Sequence, residues 1–188
     1  MSEAIGWRID DHASIRSLTE ADAEGLFALV ETNRARLERW MEWAPQTTSA
    51  GDVRGFIERA RASEHDVEAN GTFVDGVIVG AMGMSVDRAE DKGEIGYWID
   101  ERFEGRGLVT RTARLFLHHG FGALDLHRIE IRAAAENHRS RAVPERLGFT
   151  QEAVLRGACK TAAGYLDLVV YAMLADEWDS ASRPTQPR

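Results

Sequence analysis

The spacing of apolar residues changes several times along this chain, and that alternation constrains the fold more than any other feature. In the centre, two strand-like runs flank Asp75-Gly76, a dipeptide that tolerates the positive φ angles of a tight hairpin turn. On either side of this hairpin, apolar residues recur at the three- and four-residue spacing of helices. Strands and helices that alternate within 188 residues predict a single α+β domain.

The predicted elements follow the order β-α-α-β-β-β-α-β-α-β-β. Helices are expected at 20–40, from about 49 onward, at 108–121 and at 139–147, and strands at 13–16, 71–74, 77–81, 94–99, 127–135, 149–154 and 165–174. We expect the second helix to bury one face, made of Val53, Phe56, Ile57 and Ala60.

Prolines modify this pattern at two places in the chain. Pro144 lies inside the last predicted helix, where it predicts a kink or a helix confined to its first turn. The segment 179–188 is polar, contains Pro184 and Pro187, and is expected to be a flexible tail after a domain that spans residues 1–178.

Composition excludes several classes of protein. With 44% hydrophobic residues the chain is not expected to be disordered, and no apolar run approaches the roughly 20 residues that span a bilayer. The first residues lack the basic and apolar regions of a signal peptide. A lone cysteine, Cys159, is typical of a reducing cytoplasm, and the net charge of −8 argues against nucleic acid as a partner.

The segment 102–110, between a predicted strand and a predicted helix, carries Gly105 and Gly107. Glycines there let backbone N–H groups join the free donors of the helix N-terminus in an anion site that suits a pyrophosphate. No Gly-Lys-Ser/Thr follows, so this is not the nucleoside-triphosphate loop. A plain strand-to-helix turn stays open, as does a dinucleotide loop, although Thr110 replaces its third glycine.

Several motifs resemble the GNAT N-acetyltransferase superfamily. The pattern Arg102-x-x-Gly105-x-Gly107 after Ile95-Gly96-Tyr97-Trp98-Ile99 resembles its acyl-CoA loop. Glu136-Asn137-His138-Arg139-Ser140 and Leu147-Gly148-Phe149 are similar to its Asn-x-x-Ser helix start and its Leu-Gly-Phe strand entry. Arg39-Trp40-Met41-Glu42-Trp43 and Gly164-Tyr165-Leu166-Asp167 resemble the branch that acetylates the serine or alanine N-termini of ribosomal proteins.

The resemblance implies a single-domain GNAT fold, with a mixed, mostly antiparallel sheet flanked by helices. Acetyl-CoA would lie in a V between two parallel strands that splay apart, here 94–99 and 129–135, and its pantetheine arm would bind the first of them like an added strand. The cofactor contacts that the resemblance implies are Trp98, Ile99, Arg102, Gly105, Arg106, Gly107, Leu108, Val109, Thr110, Asn137 and Ser140. Asn137 and Ser140 are also interpretable as plain caps of the following helix.

Acetyl transfer needs a neutral amine, a stabilised oxyanion and a thiolate that leaves. An α-amine, with a pKa of about 8, loses its proton more readily than a lysine amine. Glu94 is the first candidate base, through a water, and Asp167 the second, although Glu94 is also interpretable as a solvated strand residue. By resemblance, Ser140 would donate to the thiolate.

One departure from the family concerns the segment Gly157-Ala158-Cys159-Lys160, where some relatives carry a carboxylate. A base borrowed from that position is therefore missing. Cys159 itself is expected to be a small buried or edge residue and not a nucleophile.

Four residues are predicted to bind the acceptor amine: Trp40, Glu42, Trp43 and Tyr165. Aromatic residues at this spacing are also common in cores, and that alternative stays open. No metal is expected, because the adjacent His118 and His119 point to different faces of their helix.

The sequence thus predicts a cytoplasmic acetyl-CoA-dependent N-acetyltransferase that acts on a primary amine, most simply a protein or peptide N-terminus such as that of a ribosomal protein. A small-molecule amine, another acyl donor such as succinyl-CoA, and a non-catalytic acyl-CoA sensor are the alternatives. No membrane partner is expected, and a homodimer stays open. Nine arginines and five acids within 102–146 give that segment a net charge of +4, which suits an anionic cofactor.

Overall fold

In residues 6–63 and 69–182, which are the residues that the computed structural model describes, eight strands form one sheet and five α-helices flank it. The strands are β1 (Gly6–Arg8), β2 (Ala13–Ser17), β3 (Asn70–Val74), β4 (Val77–Asp87), β5 (Lys92–Ile99), β6 (Arg128–Ala134), β7 (Thr150–Thr161) and β8 (Gly164–Leu174). The helices are α1 (Ala23–Glu38), α2 (Ala50–Ala62), α3 (Leu108–His118), α4 (His138–Leu147) and α5 (Ala175–Ser182). No helix in this described part is long and apolar enough to cross a membrane.

The sheet has the order β1-β2-β3-β4-β5-β6-β8-β7 and is antiparallel except between β5 and β6. Those two strands pair in parallel from Lys92↔Arg128 to Glu94↔Glu130. Beyond that point β5 stays paired with β4 only, and β6 stays paired with β8 only. The two strands therefore diverge into a V, which confirms the splayed pair and the mixed α+β fold.

Two apolar clusters fix the sheet between its helices. One packs α3 and α4 on the sheet around Phe116, Ile129 and Tyr171, and the other joins α1 and α2 to β3. Along β5, Ile95 belongs to the first cluster while Trp98 packs on the second. Because successive strand residues face opposite sides of a sheet, β5 presents its side chains to both helix groups.

The starts of the first two helices agree closely with the predicted positions. The hydroxyl of Ser49 accepts a hydrogen bond from the backbone N–H of Asp52 (3.2 Å), so α2 begins where expected. At the first helix, a 3-10 turn at Glu20–Asp22 precedes α1, and the Asp22 carboxylate accepts from the N–H and the hydroxyl of Thr19.

Other boundaries differ from the prediction. β7 extends to Thr161, well past the predicted end at 154, because its register shifts between Leu155 and Cys159 and breaks the strand periodicity. The α-helix predicted to reach residue 121 ends at His118, and a π-helical turn at His119–Ala123 follows it. α4 is not confined to its first turn, since it continues through Pro144. The short strand β1 was not predicted.

The C-terminal helix was not predicted either. α5 begins at Ala175 and continues past residue 178 into the segment that we expected to be a flexible tail. Residues 183–188 of that segment lie outside the described residues.

Candidate active site

A cavity of about 780 Å³ lies at the point where β5 and β6 diverge. The first of these strands contributes Glu94, Gly96 and Trp98 to its lining, and the second contributes Arg132. The remaining walls come from β4, from the α1–α2 region, from the start of α4 and from β7 and β8. Of the predicted site residues, the cavity brings together Trp40, Trp43, Glu94, Trp98, Asn137 and Ser140.

Three of the predicted catalytic and acceptor residues lie outside the described lining of this cavity, as do Ile99 and the predicted phosphate-loop residues within 102–110. The Glu42 carboxylate pairs with the Lys160 ammonium at 3.2 Å, next to the cavity wall. Tyr165 is 70% exposed. The Asp167 carboxylate accepts a hydrogen bond from the backbone N–H of Gly157 (2.9 Å), so it closes the bulge of the β7–β8 hairpin.

Glu94 is oriented by a charged network on the sheet. One carboxylate oxygen of Glu94 lies 3.2 Å from Nε of Arg132, which also donates to the buried Glu130 (2.8 and 3.0 Å). Burial opposes the ionisation of Glu130, but hydrogen bonds from Arg128 and Arg132 outweigh it and hold the pKa of that carboxyl below its usual value. Glu94 is thus held in place at the cavity by an arginine that is itself anchored.

The start of α4 presents a hydroxyl to the cavity. The side-chain oxygen of Asn137 accepts from the N–H of Ser140 (3.2 Å), which is the N-cap that the sequence allowed. The phenol of Tyr97 donates to the carbonyl of Ser140 (2.8 Å) and accepts from its hydroxyl (3.3 Å). Burial raises the pKa of the Tyr97 phenol, which therefore stays protonated at neutral pH. Tyr97 was not predicted as a site residue, because the strand pattern carries no signal for this contact.

The two glycines of the loop both adopt the left-handed backbone conformation. Gly105 and Gly107 have φ angles of 71° and 72°, and a Cβ atom at either would meet no described atom within 4 Å. These glycines are therefore required by the backbone and leave open space beside it. Gly107 is the N-cap of α3, whose first turn holds the buried Leu108 and the half-buried Val109 and Thr110.

Charged side chains flank this loop. Arg102 pairs with the buried Asp100 (2.5 Å), while Arg106 lies over the Phe103 ring, 4.7 Å from its centroid. Arg146 reaches from α4 to the hydroxyl of Thr110 (3.3 Å). The loop and the free N–H groups at the start of α3 fit a pyrophosphate, since both Arg106 and Arg146 lie next to them. Arg146 was missed because the contact joins residues that are distant in sequence.

Three further contacts lie at the open end of β5. The Arg36 guanidinium donates to the carbonyl of Ile99 and pairs with Glu104 of the loop. Glu104 also pairs with Arg139 at the start of α4. These ion pairs join α1, the loop and α4 around the mouth of the V.

The opposite wall of the cavity is aromatic. The rings of Trp43 and Trp98 lie 6.1 Å apart, and Trp43 and Phe56 are about one-third exposed (37% and 36%). The expectation that Phe56 belongs to the buried face of α2 is wrong, because Val53 and Ile57 fill that face and turn Phe56 toward the cavity.

Cys159 also lines the cavity. Its pKa is raised by burial and by the nearby Glu42 carboxylate, so little of the thiol is ionised at neutral pH. This supports the expectation that Cys159 is not a nucleophile.

Within residues 6–63 and 69–182, no three His, Cys, Asp or Glu side chains are grouped to hold a metal ion. His118 packs edge-on against Trp178, with ring centroids 4.8 Å apart, and His119 packs on Trp7 at 5.2 Å. Both histidines thus contact aromatic rings on different sides of their helix.

Known proteins match this chain over nearly its full length. The acetyltransferase (GNAT) domain family matches residues 13–150. Putative ribosomal N-acetyltransferase YdaF of Bacillus subtilis (strain 168) is 37% identical over 177 residues, which are 92% of this chain and 96% of that protein. The ribosomal-protein-serine acetyltransferase of Escherichia coli (strain K12) is 24% identical over 184 residues, covering 94% and 99%.

A crystal structure of a probable acetyltransferase, 36% identical in sequence, superposes with a TM-score of 0.87 and covers 93% of this chain and 99% of its own. The splayed strands, the glycine loop and these matches agree with one another. The chain is therefore an N-acetyltransferase of the GNAT superfamily, related to the enzymes that acetylate ribosomal proteins.

Proposed function

We propose that this enzyme transfers the acetyl group of acetyl-CoA to the α-amine of a protein or peptide N-terminus, such as that of a ribosomal protein. The observation that carries the proposal is that one cavity joins Glu94, at the point where the two strands diverge, and Ser140 to an aromatic wall around Trp43. Two relatives are named for ribosomal targets, which supports the same acceptor class.

In this proposal the loop at Gly105 and Gly107 holds the pyrophosphate, and the thioester lies near Ser140. The amine passes a proton to Glu94 through a water and attacks the thioester carbonyl. The new C–N bond forms as the C–S bond breaks, and the hydroxyl of Ser140 donates a hydrogen bond to the departing thiolate. No metal takes part in these steps.

The charges of the cavity favour a single amine over a polyamine. Two carboxylates are present in its described lining, and both are engaged within the protein. Glu94 pairs with Arg132, and Asp52 accepts hydrogen bonds from Thr48 and Ser49 at the start of α2. The aromatic wall suits the apolar part of a terminal residue, and an α-amine is less basic than a polyamine nitrogen.

The acceptor class is tested by thiol release from acetyl-CoA with a panel of amines. We expect turnover with peptides that begin with serine or alanine and none with the same peptides after N-terminal acetylation. Turnover with spermidine or an amino sugar alone would replace the peptide proposal with a small-molecule one. Saturable acetyl-CoA binding without turnover on any amine would identify a sensor, and a succinyl-CoA arm tests the acyl donor.

Gly96→Leu tests whether the cavity is the site of the reaction. A Cβ at Gly96 meets no described atom within 4 Å and Gly96 lines the cavity, so a leucine side chain at this position would extend into the cavity. We expect normal folding by circular dichroism and a loss of at least about a hundredfold in kcat/KM, because a side chain would block substrates from reaching the site. Gly122→Leu, at another open glycine, is the control and keeps full activity. Full activity in Gly96→Leu would place the reaction elsewhere.

We further infer a cytoplasmic location, where the N-termini of ribosomal proteins are made, and an amine-bearing chain as the partner in place of nucleic acid or membrane. The proposal also includes a catalytic domain that ends near residue 178. It further includes assembly as a homodimer.

A further inference from the structure

Pro144 leaves one carbonyl of α4 without its helical donor. In an α-helix the carbonyl of Ser140 accepts from the N–H of residue 144, and proline has no N–H. The helix nevertheless continues to Leu147. The Ser140 carbonyl instead accepts the phenol proton of Tyr97, at 2.8 Å.

The geometry points to Tyr97 as a positioning residue, which holds Ser140 in the cavity through the carbonyl that Pro144 frees. The role of Ser140 that this inference uses rests on the proposed function. Tyr97 comes from β5, whereas α4 follows β6, so this hydrogen bond crosses the V between the two diverging strands. The start of α4 is thereby held from both sides, by the Asn137 cap and by the Tyr97 phenol.

The same phenol also sets the direction of the Ser140 hydroxyl. That hydroxyl donates to the Tyr97 oxygen (3.3 Å), while the Tyr97 proton is committed to the carbonyl. A hydroxyl hydrogen rotates freely, and a bond to an anionic acceptor is stronger than one to a neutral oxygen. As charge develops on the thiolate, the Ser140 hydrogen turns to it, and Tyr97 keeps the oxygen where it was.

A second tyrosine offers a matched control. Tyr171 of β8 also binds α4 through its phenol, which accepts from Nε of Arg141 (2.8 Å) and donates to Glu145 (2.8 Å). These contacts involve neither Ser140 nor the described cavity lining. Tyr171→Phe therefore removes a comparable tyrosine–helix contact while leaving Ser140 in place.

The link through the carbonyl is tested by thermal unfolding, without any acceptor. Tyr97→Phe leaves the Ser140 carbonyl unsatisfied and is expected to lower Tm by about 3–6 °C. In a Pro144→Ala background the new N–H at residue 144 serves that carbonyl, and Tyr97→Phe is expected to lower Tm by less than half as much. Equal shifts in both backgrounds would overturn the link, and Tyr171→Phe should give the same shift in both.

The positioning role is tested by steady-state kinetics. We expect Ser140→Ala to lower kcat about a hundredfold and Tyr97→Phe about tenfold, with the KM for acetyl-CoA unchanged in both. The double variant should match Ser140→Ala within about twofold, because Tyr97 acts only through Ser140. Tyr171→Phe should keep kcat.

Outcomes separate the failure of this inference from the failure of the proposed function. An additive double variant, or a Tyr97→Phe enzyme with full kcat, would overturn the positioning role while the acetyl transfer stands. A wild-type enzyme that acetylates no amine would remove the proposed function, and with it the role of Ser140. The Tm comparison still decides the carbonyl link in that case.

Discussion

Glu94 lies where two like charges face each other across the parallel strands. It is paired in register with Glu130, and facing carboxylates on neighbouring strands repel each other. Arg132 contacts both carboxylates and offsets that repulsion. A carboxylate thus stays at the end of the paired segment, where the cavity begins. The sequence identified Glu94 as a candidate base. It did not identify Arg132, which offsets the repulsion between Glu94 and Glu130.

We expect Glu94→Gln to lower kcat by about a hundredfold, because the amide no longer accepts a proton in the catalytic step. The KM for acetyl-CoA should change little, since the phosphate loop is not altered. Initial rates with a serine-initiated peptide measure both constants. Glu90→Gln, at an exposed position in the β4–β5 turn, is the matched control. A Glu94→Gln enzyme with the control's kcat would exclude Glu94 as the base.

At the scale of elements, one ion pair joins the end of β2 to the start of α1. The Arg16 guanidinium donates to both oxygens of Asp22 (2.9 and 2.7 Å). Hydrogen bonds from Arg16, and then from Thr19, lower the pKa of Asp22 against the opposing effect of burial. The folded protein therefore binds a proton at this site less readily than the unfolded chain does.

The sign of the pH effect follows from that lowered pKa. The stabilisation by this ion pair is fully present above about pH 3.9, which is the pKa of an aspartic acid in the unfolded chain. It is lost as the pH falls through the lower pKa that Asp22 has in the folded protein. Asp22→Asn is expected to lower the free energy of unfolding by about 2 kcal/mol at pH 7, and by clearly less at pH 2.5. Urea unfolding at the two pH values checks this.

Asp11→Asn is the control for that measurement, because its pair with Arg8 is exposed on both sides (88% and 71%) and contributes little. A loss of stability in Asp22→Asn that stays constant between pH 7 and pH 2.5 would contradict the explanation.

At the scale of the whole molecule, the arginine-rich segment is less basic than its composition suggests. Six of its nine arginines form ion pairs with acids, several of them distant in sequence: Arg102, Arg111, Arg128, Arg132, Arg139 and Arg141. Arg106, Arg114 and Arg146 have no carboxylate partner among the described residues. Two of these three, Arg106 and Arg146, flank the start of α3.

We therefore expect Arg106→Ala and Arg146→Ala each to weaken acetyl-CoA binding about fivefold, and less at high salt, because both charges lie near the proposed pyrophosphate. Isothermal titration at 50 and 500 mM salt measures the effect. Arg114→Ala, an exposed arginine farther along α3, is the control and should bind normally. If Arg114→Ala weakened binding equally, a diffuse field and not the loop would hold the phosphates.

Local patterns predicted much of this molecule, and tertiary contacts explain the rest. The start of α2 and the Asp75-Gly76 hairpin depend on neighbouring residues, so the sequence predicts them. The glycine loop is likewise a local motif. The Tyr97–Ser140 contact and the Arg146–Thr110 contact depend on how strands and helices pack, and no spacing reveals them. The sequence shows that Pro144 lies inside a predicted helix, but it does not show that the Tyr97 phenol donates to the carbonyl that Pro144 leaves without a helical donor.

The short parallel seam between β5 and β6 has a mechanical consequence. Backbone hydrogen bonds join the two halves of the described sheet at one end, from Asp91, whose carbonyl accepts from His127, to Glu94↔Glu130, while apolar residues such as Phe116 and Ile131 pack across them. Apolar contacts have no fixed direction, so they set a distance and not a register. The aperture of the V therefore depends on the volume of the core beneath it as well as on the polar contacts that cross it, such as Tyr97–Ser140, and a methylene removed from that core would change how far the two strands diverge.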